Sequence, residues 1–138
     1  MTATIRAAIV DDDSIVRSAV TSYLATADDI EVVATGQDGI EAVDLVKKHH
    51  IDVLVMDIRM PNMDGIDATA EVRRIAPHTH VLLLTSIDGV DEVRRGLAAG
   101  ATGYLVKDSS PATVVAGVRA VHSGVSVVTP STLARVMA

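Results

Sequence analysis

The segment Val53–Gly65, with the sequence VLVMDIRMPNMDG, holds the features that determine the fold. Four apolar residues lead directly into the carboxylate of Asp57, and a turn with Pro61 and Asn62 follows. An apolar run this short, bounded by loop signals, is typical of a strand buried on both faces of a sheet. Asp57 then lies at the carboxyl end of that strand, where open α/β sheets place their ligand chemistry. Asp57 is therefore the centre of the candidate site.

Four further apolar runs resemble the one before Asp57, and helical patterns separate them. The predicted strands are Ile5–Val10, Ile30–Thr35, Asp52–Met56, His80–Thr85 and Gly103–Val106. The predicted helices are Ser14–Ala27, Asp38–His49, Asp64–Ala76, Asp88–Ala99 and Pro111–His122. Strands that alternate with helices of this length indicate βαβ units and a parallel sheet with right-handed crossovers. The sequence thus predicts an α/β fold with five parallel strands.

Strand composition indicates the order of the sheet. Glu31 in the second run and Tyr104 in the short fifth run suit edge strands, whereas the first, third and fourth runs are uniformly apolar. This pattern fits the doubly wound, flavodoxin-like order 2-1-3-4-5, with a switch point between strands one and three. Composition alone leaves other orders open.

Capping residues support the predicted helices. Aspartates stand where side chains cap helix amino termini, and glycines stand where helices end. The predicted N-caps are Asp38, Asp64 and Asp88, and the predicted helix ends are Gly100 and Gly124.

Composition limits the classes of function. The 138 residues suffice for one domain with an aliphatic core, since hydrophobic residues make up 49% and aromatic residues 1%. The absence of cysteine excludes disulfides and thiolate metal sites and is compatible with a reducing cytoplasm. A net charge of −6 without a Lys/Arg cluster makes this segment a poor binder of nucleic acid. We expect no signal peptide, and no apolar run has the length of a membrane span.

Polar residues follow four of the predicted strands directly. They are Asp11, Asp12 and Asp13 after the first strand, Asp57 at the third, Thr85 at the fourth and Lys107 at the fifth. In the order 2-1-3-4-5 these strands are consecutive neighbours about 4.8 Å apart, so their last side chains converge. Three carboxylates do not stay ionised side by side without a cation. Oxygen ligands of this kind suit Mg²⁺, so the sequence predicts a magnesium site.

The same residues indicate a chemistry. A carboxylate beside Mg²⁺ can attack a phosphoryl group to form an acyl phosphate. Catalysis of that transfer consists mainly of positioning and charge neutralisation, which Lys107 and Thr85 would provide. Asp11–Asp13 could instead be a turn with a helix cap; capping needs only one aspartate, and Asp13 is placed best for it. No glycine-rich phosphate loop is present, which argues against nucleotide binding.

These motifs resemble the receiver domains of two-component response regulators from about Ile5 to Gly124. The aspartate pair, MDIRMPNMDG, the Thr-Ser pair and GYLVKD agree with that family in order and spacing. The resemblance implies that Asp57 accepts phosphate from a sensor histidine kinase, with the Arg59 carbonyl as a further Mg²⁺ ligand. It also implies that Tyr104 is a switch aromatic, turning inward as Thr85 is drawn toward the phosphate.

Residues near the end of the chain resemble the NarL/LuxR-type subfamily. Lys107 is followed by Asp108, and the tail has the form VTPSTLARVM. The resemblance implies a receiver over 1–124, a linker or start of an extra helix over 125–138, and a helix-turn-helix output domain beyond it. DNA would then be bound only through that output domain. A cytoplasmic location is implied as well.

The last predicted helix suggests an interface. Its valines occupy more than one face, and an exposed apolar patch commonly marks a contact surface. We expect phosphorylation-linked homodimerisation through helices one and five, with Val114 and Val118 in the interface. The alternative is that these valines belong to the core.

Two other functions remain open at this stage. The chain could be a stand-alone phosphorelay receiver without a DNA output. It could also be a haloacid-dehalogenase-like phosphatase with Asp11 as nucleophile, which would leave Asp57 without a role. In the leading interpretation the protein is no enzyme apart from phosphorylating and dephosphorylating its own Asp57.

Overall fold

A computed structural model describes residues 4–86, 90–128, 133–134 and 137. Parallel strands form a single sheet in the order β2-β1-β3-β4-β5-β6. The strands are β1 Ile5–Val10, β2 Ile30–Gly36, β3 Val53–Asp57, β4 His80–Thr85, β5 Gly103–Val106 and β6 Val127–Val128. The helices are α1 Ser14–Ala25, α2 Gly39–Lys48, α3 Gly65–Ile75, α4 Val90–Ala98 and α5 Pro111–His122. The predicted order of the first five strands is confirmed.

The core consists of two aliphatic layers, one on each face of the sheet. Alternate residues along each strand enter opposite layers, as Leu54 and Val55 in β3 do, because successive strand side chains point to opposite faces. Helices α2, α3 and α4 cover one layer, and α1 and α5 cover the other. All five residues of β3 are buried, as expected for a central strand.

A sixth strand corrects the prediction of five. Gly124 has a φ of 87°, a left-handed conformation that glycine adopts without strain, and it ends α5. The chain then returns so that Val127 and Val128 pair with β5. Tyr104 therefore lies on an interior strand and is 1% exposed, and the expectation that the fifth strand is an edge was wrong. The run Gly124–Val128 contained three valines, a strand signal that the linker interpretation overlooked.

The expectation that Val114 and Val118 form a contact surface was also wrong. They are 2% and 0% exposed and belong to the core layer beneath α5. The buried positions of α5 are Val114, Gly117, Val118 and Val121. This spacing is that of a single helical stripe, and it faces the sheet. Val115 is half-buried beside that stripe.

Most predicted helix ends agree with the structure. The side chains of Asp38 and Asp64 accept hydrogen bonds from the Glu41 and Asp67 amides as N-caps. The predicted cap Asp88 and the predicted turn at 129–130 lie outside the described residues. Within the described ranges, none of the helices is both long and apolar enough to cross a bilayer.

Candidate functional site

The carboxyl ends of β1, β3 and β5 bring the predicted charged groups together. The Lys107 ammonium lies 3.0 Å from the Asp57 carboxylate and 3.3 Å from that of Asp11. Asp57 is 5% exposed and Asp11 2%. Thr85 ends β4, and its carbonyl accepts a hydrogen bond from the Lys107 amide. The structure thus places these four residues in one notch.

The charges in this notch are coupled. Burial raises the pKa of the Asp57 carboxyl, the neighbouring Lys107 opposes this rise, and the Asp11 carboxylate adds to it. Burial alone would lower the pKa of Lys107, but Asp57 and Asp11 outweigh it, so the ammonium has a raised pKa. A cation beside Asp57 therefore favours the ionised form of its carboxyl, which burial and Asp11 disfavour.

The turn after Asp57 depends on a close backbone approach. The Gly65 amide donates to the Ile58 carbonyl, and a Cβ placed on Gly65 would lie 2.1 Å from the Asp57 carbonyl oxygen. Only glycine allows α3 to begin so close to the end of β3. The Asp57 side chain is fixed from the same turn, because its Oδ1 accepts from the Ile58 amide at 2.8 Å.

Three aspartates provide a fitting set of ligands for a divalent cation. One carboxylate oxygen from each of Asp11, Asp12 and Asp57 lies within 4.8 Å of the others. Asp13 is not part of this set. Its side chain caps α1 by accepting hydrogen bonds from the Ile15 and Val16 amides. The predicted capping role of Asp13 is confirmed, and the metal-binding role of Asp11 and Asp12 stays a prediction. Oxygen donors at such spacing suit Mg²⁺, which also keeps places for water and phosphate oxygens.

A recess of about 200 Å³ opens beside these groups. The described residues that line it are Thr85, Ser86, Lys107 and Asp108. The Thr85 hydroxyl donates to the Ser86 carbonyl at 3.0 Å, so this hydroxyl can be redirected by a competing acceptor. The recess places the Lys107 ammonium and the Thr85 hydroxyl side by side. A charged donor and a hydroxyl donor together can bind a small oxyanion.

Tyr104 lies behind Thr85, under α4. Burial raises the pKa of its hydroxyl, and the nearby Thr85 side chain opposes that rise. The hydroxyl has no hydrogen bond of normal geometry to any residue in the described ranges. A Cβ on Gly96 would lie 2.7 Å from Cδ1 of Leu83 and 3.7 Å from Cε2 of the ring, so this glycine in α4 makes room for Leu83 and lies within ordinary contact distance of Tyr104.

One contact at the site was not predicted. The Arg59 guanidinium forms two hydrogen bonds with the Glu92 carboxylate of α4, at 2.5 and 3.4 Å. The pair is separated by 33 positions in the sequence, and no local pattern signals such a contact. The predicted role of the Arg59 carbonyl as a metal ligand stays a prediction.

Comparison with known proteins gives consistent matches. The family model described as the response regulator receiver domain matches residues 7–119. Response regulator protein VraR of Staphylococcus aureus is 40% identical over 134 residues, covering 96% of this chain and 63% of VraR. A LuxR-family two-component response regulator from Aurantimonas sp. SI85-9A1 has a TM-score of 0.91 at 30% identity, covering 98% of this chain and 96% of that one. The signal receiver domain assigned to NarL of Mycobacterium tuberculosis has a TM-score of 0.85 at 35% identity, covering 88% of this chain and 98% of that one. The chain therefore spans less than two thirds of the length of VraR.

Proposed function

The chain belongs to the response regulator receiver domain family, and we propose that Asp57 accepts a phosphoryl group from a sensor histidine kinase in a Mg²⁺-dependent reaction. The observation that carries this proposal is the position of Asp57. It lies at the end of the central strand, buried, within 3.0 Å of the Lys107 ammonium and beside the carboxylates of Asp11 and Asp12. No other aspartate in the described ranges combines these features.

Each residue of the site has its own role in the proposed phosphoryl transfer. A carboxylate oxygen of Asp57 attacks the phosphorus, the bond from phosphorus to the donor's leaving atom breaks, and an acyl phosphate forms. Mg²⁺, held by Asp11, Asp12, Asp57 and the Arg59 carbonyl, would supply charge neutralisation for the phosphoryl oxygens. Lys107 exchanges its contact with the carboxylate for one with the phosphoryl group, and the Thr85 hydroxyl donates to another oxygen. Catalysis is limited to phosphorylation and dephosphorylation of Asp57 itself.

The proposed signal passes through Thr85 and Tyr104. When the Thr85 hydroxyl turns toward the phosphoryl group it leaves the Ser86 carbonyl, which alters the end of β4. Tyr104 is packed against the same region and responds to that change. A local change of charge would in this way bias a two-state element. Support comes from the burial of Tyr104 and from the proximity of Thr85 to its hydroxyl.

Output is proposed to follow the subfamily resemblance. The relatives are LuxR-type response regulators, and we propose that a helix-turn-helix output domain follows the receiver and alone contacts DNA.

Phosphorylation would promote a homodimer through α1 and α5. A groove of about 340 Å³ between the residues that directly follow α1 and helix α5, lined in part by Ala27, Ala112 and Val115, supports that surface in place of Val114 and Val118. The protein would act in the cytoplasm.

An autophosphorylation assay tests the proposal. We expect acetyl phosphate with Mg²⁺ to add one phosphoryl group per chain, measured by intact mass, and chelation of Mg²⁺ to prevent it. Asp57→Asn should remove the modification, whereas Asp44→Asn on the exposed face of α2 should retain it. Undiminished modification of the Asp57→Asn protein would contradict the proposal. Turnover of external phosphate esters would instead favour the phosphatase interpretation.

A further inference from the structure

We propose that Val128 is a positioning residue that holds the Tyr104 ring inward, so that docking of β6 favours the state that binds a phosphoryl group. The inference deepens the proposed function and rests on it for the link to phosphate. The contact between β6 and Tyr104 itself is independent of that function.

The register of the sheet places the two side chains next to each other. Tyr104 pairs with Val128, and Gly103 pairs with Val127. Neighbouring strands lie about 4.8 Å apart, and paired residues in parallel strands point to the same face. Val128 indeed packs against the core layer that contains Tyr104, while Val127 packs against the opposite layer. One residue of β6 therefore faces the ring, and its neighbour does not.

Among the described residues, the ring has neighbours in α4 and in β4. Gly96 of α4 lies over the ring, and Leu83 of the adjacent strand β4 belongs to the same layer. Thr85 is near the hydroxyl. On the remaining side β5 would be an edge strand if β6 were not docked. A ring that rotated to another staggered position, away from the core, would need the space that Val128 occupies.

The docking of β6 and the binding of a phosphoryl group would stabilise each other. If docked β6 stabilises the inward ring, and if the inward ring favours the phosphoryl-bound site, then phosphoryl binding must stabilise docked β6 to the same extent. The docked strand is short and its two side chains are only half-buried, so its pairing is weak enough to respond. The pairing of Val127 and Val128 with β5 would thus strengthen or weaken with the state of Asp57.

Two alanine variants separate this proposal from a general loss of strand pairing. Val128→Ala removes the side chain beside Tyr104, and Val127→Ala is the matched control, since it removes an equal volume from the same strand on the other face. The first readout is ¹⁹F NMR of the 138-residue chain labelled with fluorotyrosine. The chain has two tyrosines, so Tyr23 on α1 serves as an internal reference.

We expect Val128→Ala to shift or broaden the Tyr104 fluorine signal and to leave that of Tyr23 unchanged. Val127→Ala should leave both signals unchanged. The second readout is the apparent affinity for beryllofluoride with Mg²⁺ as a phosphoryl mimic. We expect Val128→Ala to weaken it roughly fivefold, the lower end of typical couplings between sites, with no change for Val127→Ala.

The third readout is amide hydrogen exchange. Residues 127 and 128 should exchange more slowly when beryllofluoride is bound to the unsubstituted chain. Equal effects of the two variants, or an unmoved Tyr104 signal in Val128→Ala, would overturn the proposal. Failure of beryllofluoride to bind the unsubstituted chain would instead overturn the proposed function, and the fluorine readout in the absence of the mimic would still test the contact between Val128 and the ring.

Discussion

Asp12 and Asp13 are adjacent in sequence but have separate tasks. Asp12 is exposed and contributes an oxygen to the carboxylate cluster, whereas Asp13 caps α1. Asp11 is tied to the same turn, because its Oδ1 accepts from the Asp13 amide at 2.9 Å. The sequence alone allowed this division to be predicted, since one N-cap needs one aspartate. The short distances between the oxygens of Asp11, Asp12 and Asp57, on which the proposed cation site rests, required the structure.

The two aspartates should separate metal binding from stability. We expect Asp12→Asn to weaken Mg²⁺ binding in calorimetric titration and to leave the urea midpoint nearly unchanged. Asp13→Ala should leave Mg²⁺ affinity intact and lower the free energy of unfolding by about 1 kcal/mol, the usual cost of losing an N-cap. The reverse pattern, with Asp13 controlling Mg²⁺ affinity, would contradict the assignment.

The proposed function gives Lys107 two roles: its ammonium would compete with Mg²⁺ for Asp57 and Asp11 before transfer and would bind the phosphoryl group during it. Lys107→Ala removes a cation from Asp57 and Asp11, so Mg²⁺ should bind at least as tightly as before. Phosphorylation by acetyl phosphate should nevertheless slow by roughly 100-fold, as when one preorganised transition-state donor is removed. Lys48→Ala, which alters only an exposed pair with Asp44, is the control. A loss of Mg²⁺ affinity in Lys107→Ala would show that the charge argument is wrong.

At the scale of elements, the approach of α3 to β3 determines the shape of the site. The sequence predicted a helix beginning near Asp64, and the structure places its first residue at Gly65. Turn residues and apolar periodicity were sufficient for that prediction, because both are local signals. The closeness of Gly65 to the Asp57 carbonyl depends on how two elements pack, which no local pattern encodes. The ion pair between Arg59 and Glu92 was missed for the same reason, whereas β6 was missed although its valines are a local strand signal.

Gly65→Ala tests that approach directly. The new methyl group would overlap the Asp57 carbonyl, so we expect a loss of about 3 kcal/mol in the free energy of unfolding, at the upper end of ordinary overpacking. Gly124→Ala is the control: its Cβ would meet no atom within 4 Å, so only the cost of its positive φ remains. Urea denaturation measures both. If the two variants had the same free energy of unfolding, α3 could move away from β3 without loss of stability, and the argument from their close approach would be wrong.

At the scale of the whole molecule, one end of the sheet carries the candidate site and its two faces carry different helices. Helices α1 and α5 share the face opposite α4, so the proposed signal from Tyr104 would have to pass through the sheet or around its β6 edge to reach them. The sequence predicted which helices exist, but it misjudged which valines of α5 are exposed. A helix with four valines in twelve residues offers several possible stripes, and only packing selects one of them.

Substitution of an exposed residue outside the core tests the proposed dimer surface. Ala112 is exposed and lines the groove between α1 and α5. We expect Ala112→Glu to prevent the dimer that forms with beryllofluoride and Mg²⁺, as measured by analytical ultracentrifugation. Ala70→Glu on the exposed face of α3 should dimerise normally. Dimerisation that persists in Ala112→Glu would place the interface elsewhere.

The most direct test of the central claim is to locate the phosphoryl group. After reaction with acetyl phosphate and Mg²⁺, borohydride reduction converts an aspartyl phosphate to homoserine, and peptide mass mapping identifies the residue. The account predicts homoserine at position 57 and none at positions 11, 12 or 13. Homoserine at position 11, with Asp57 unmodified, would contradict it.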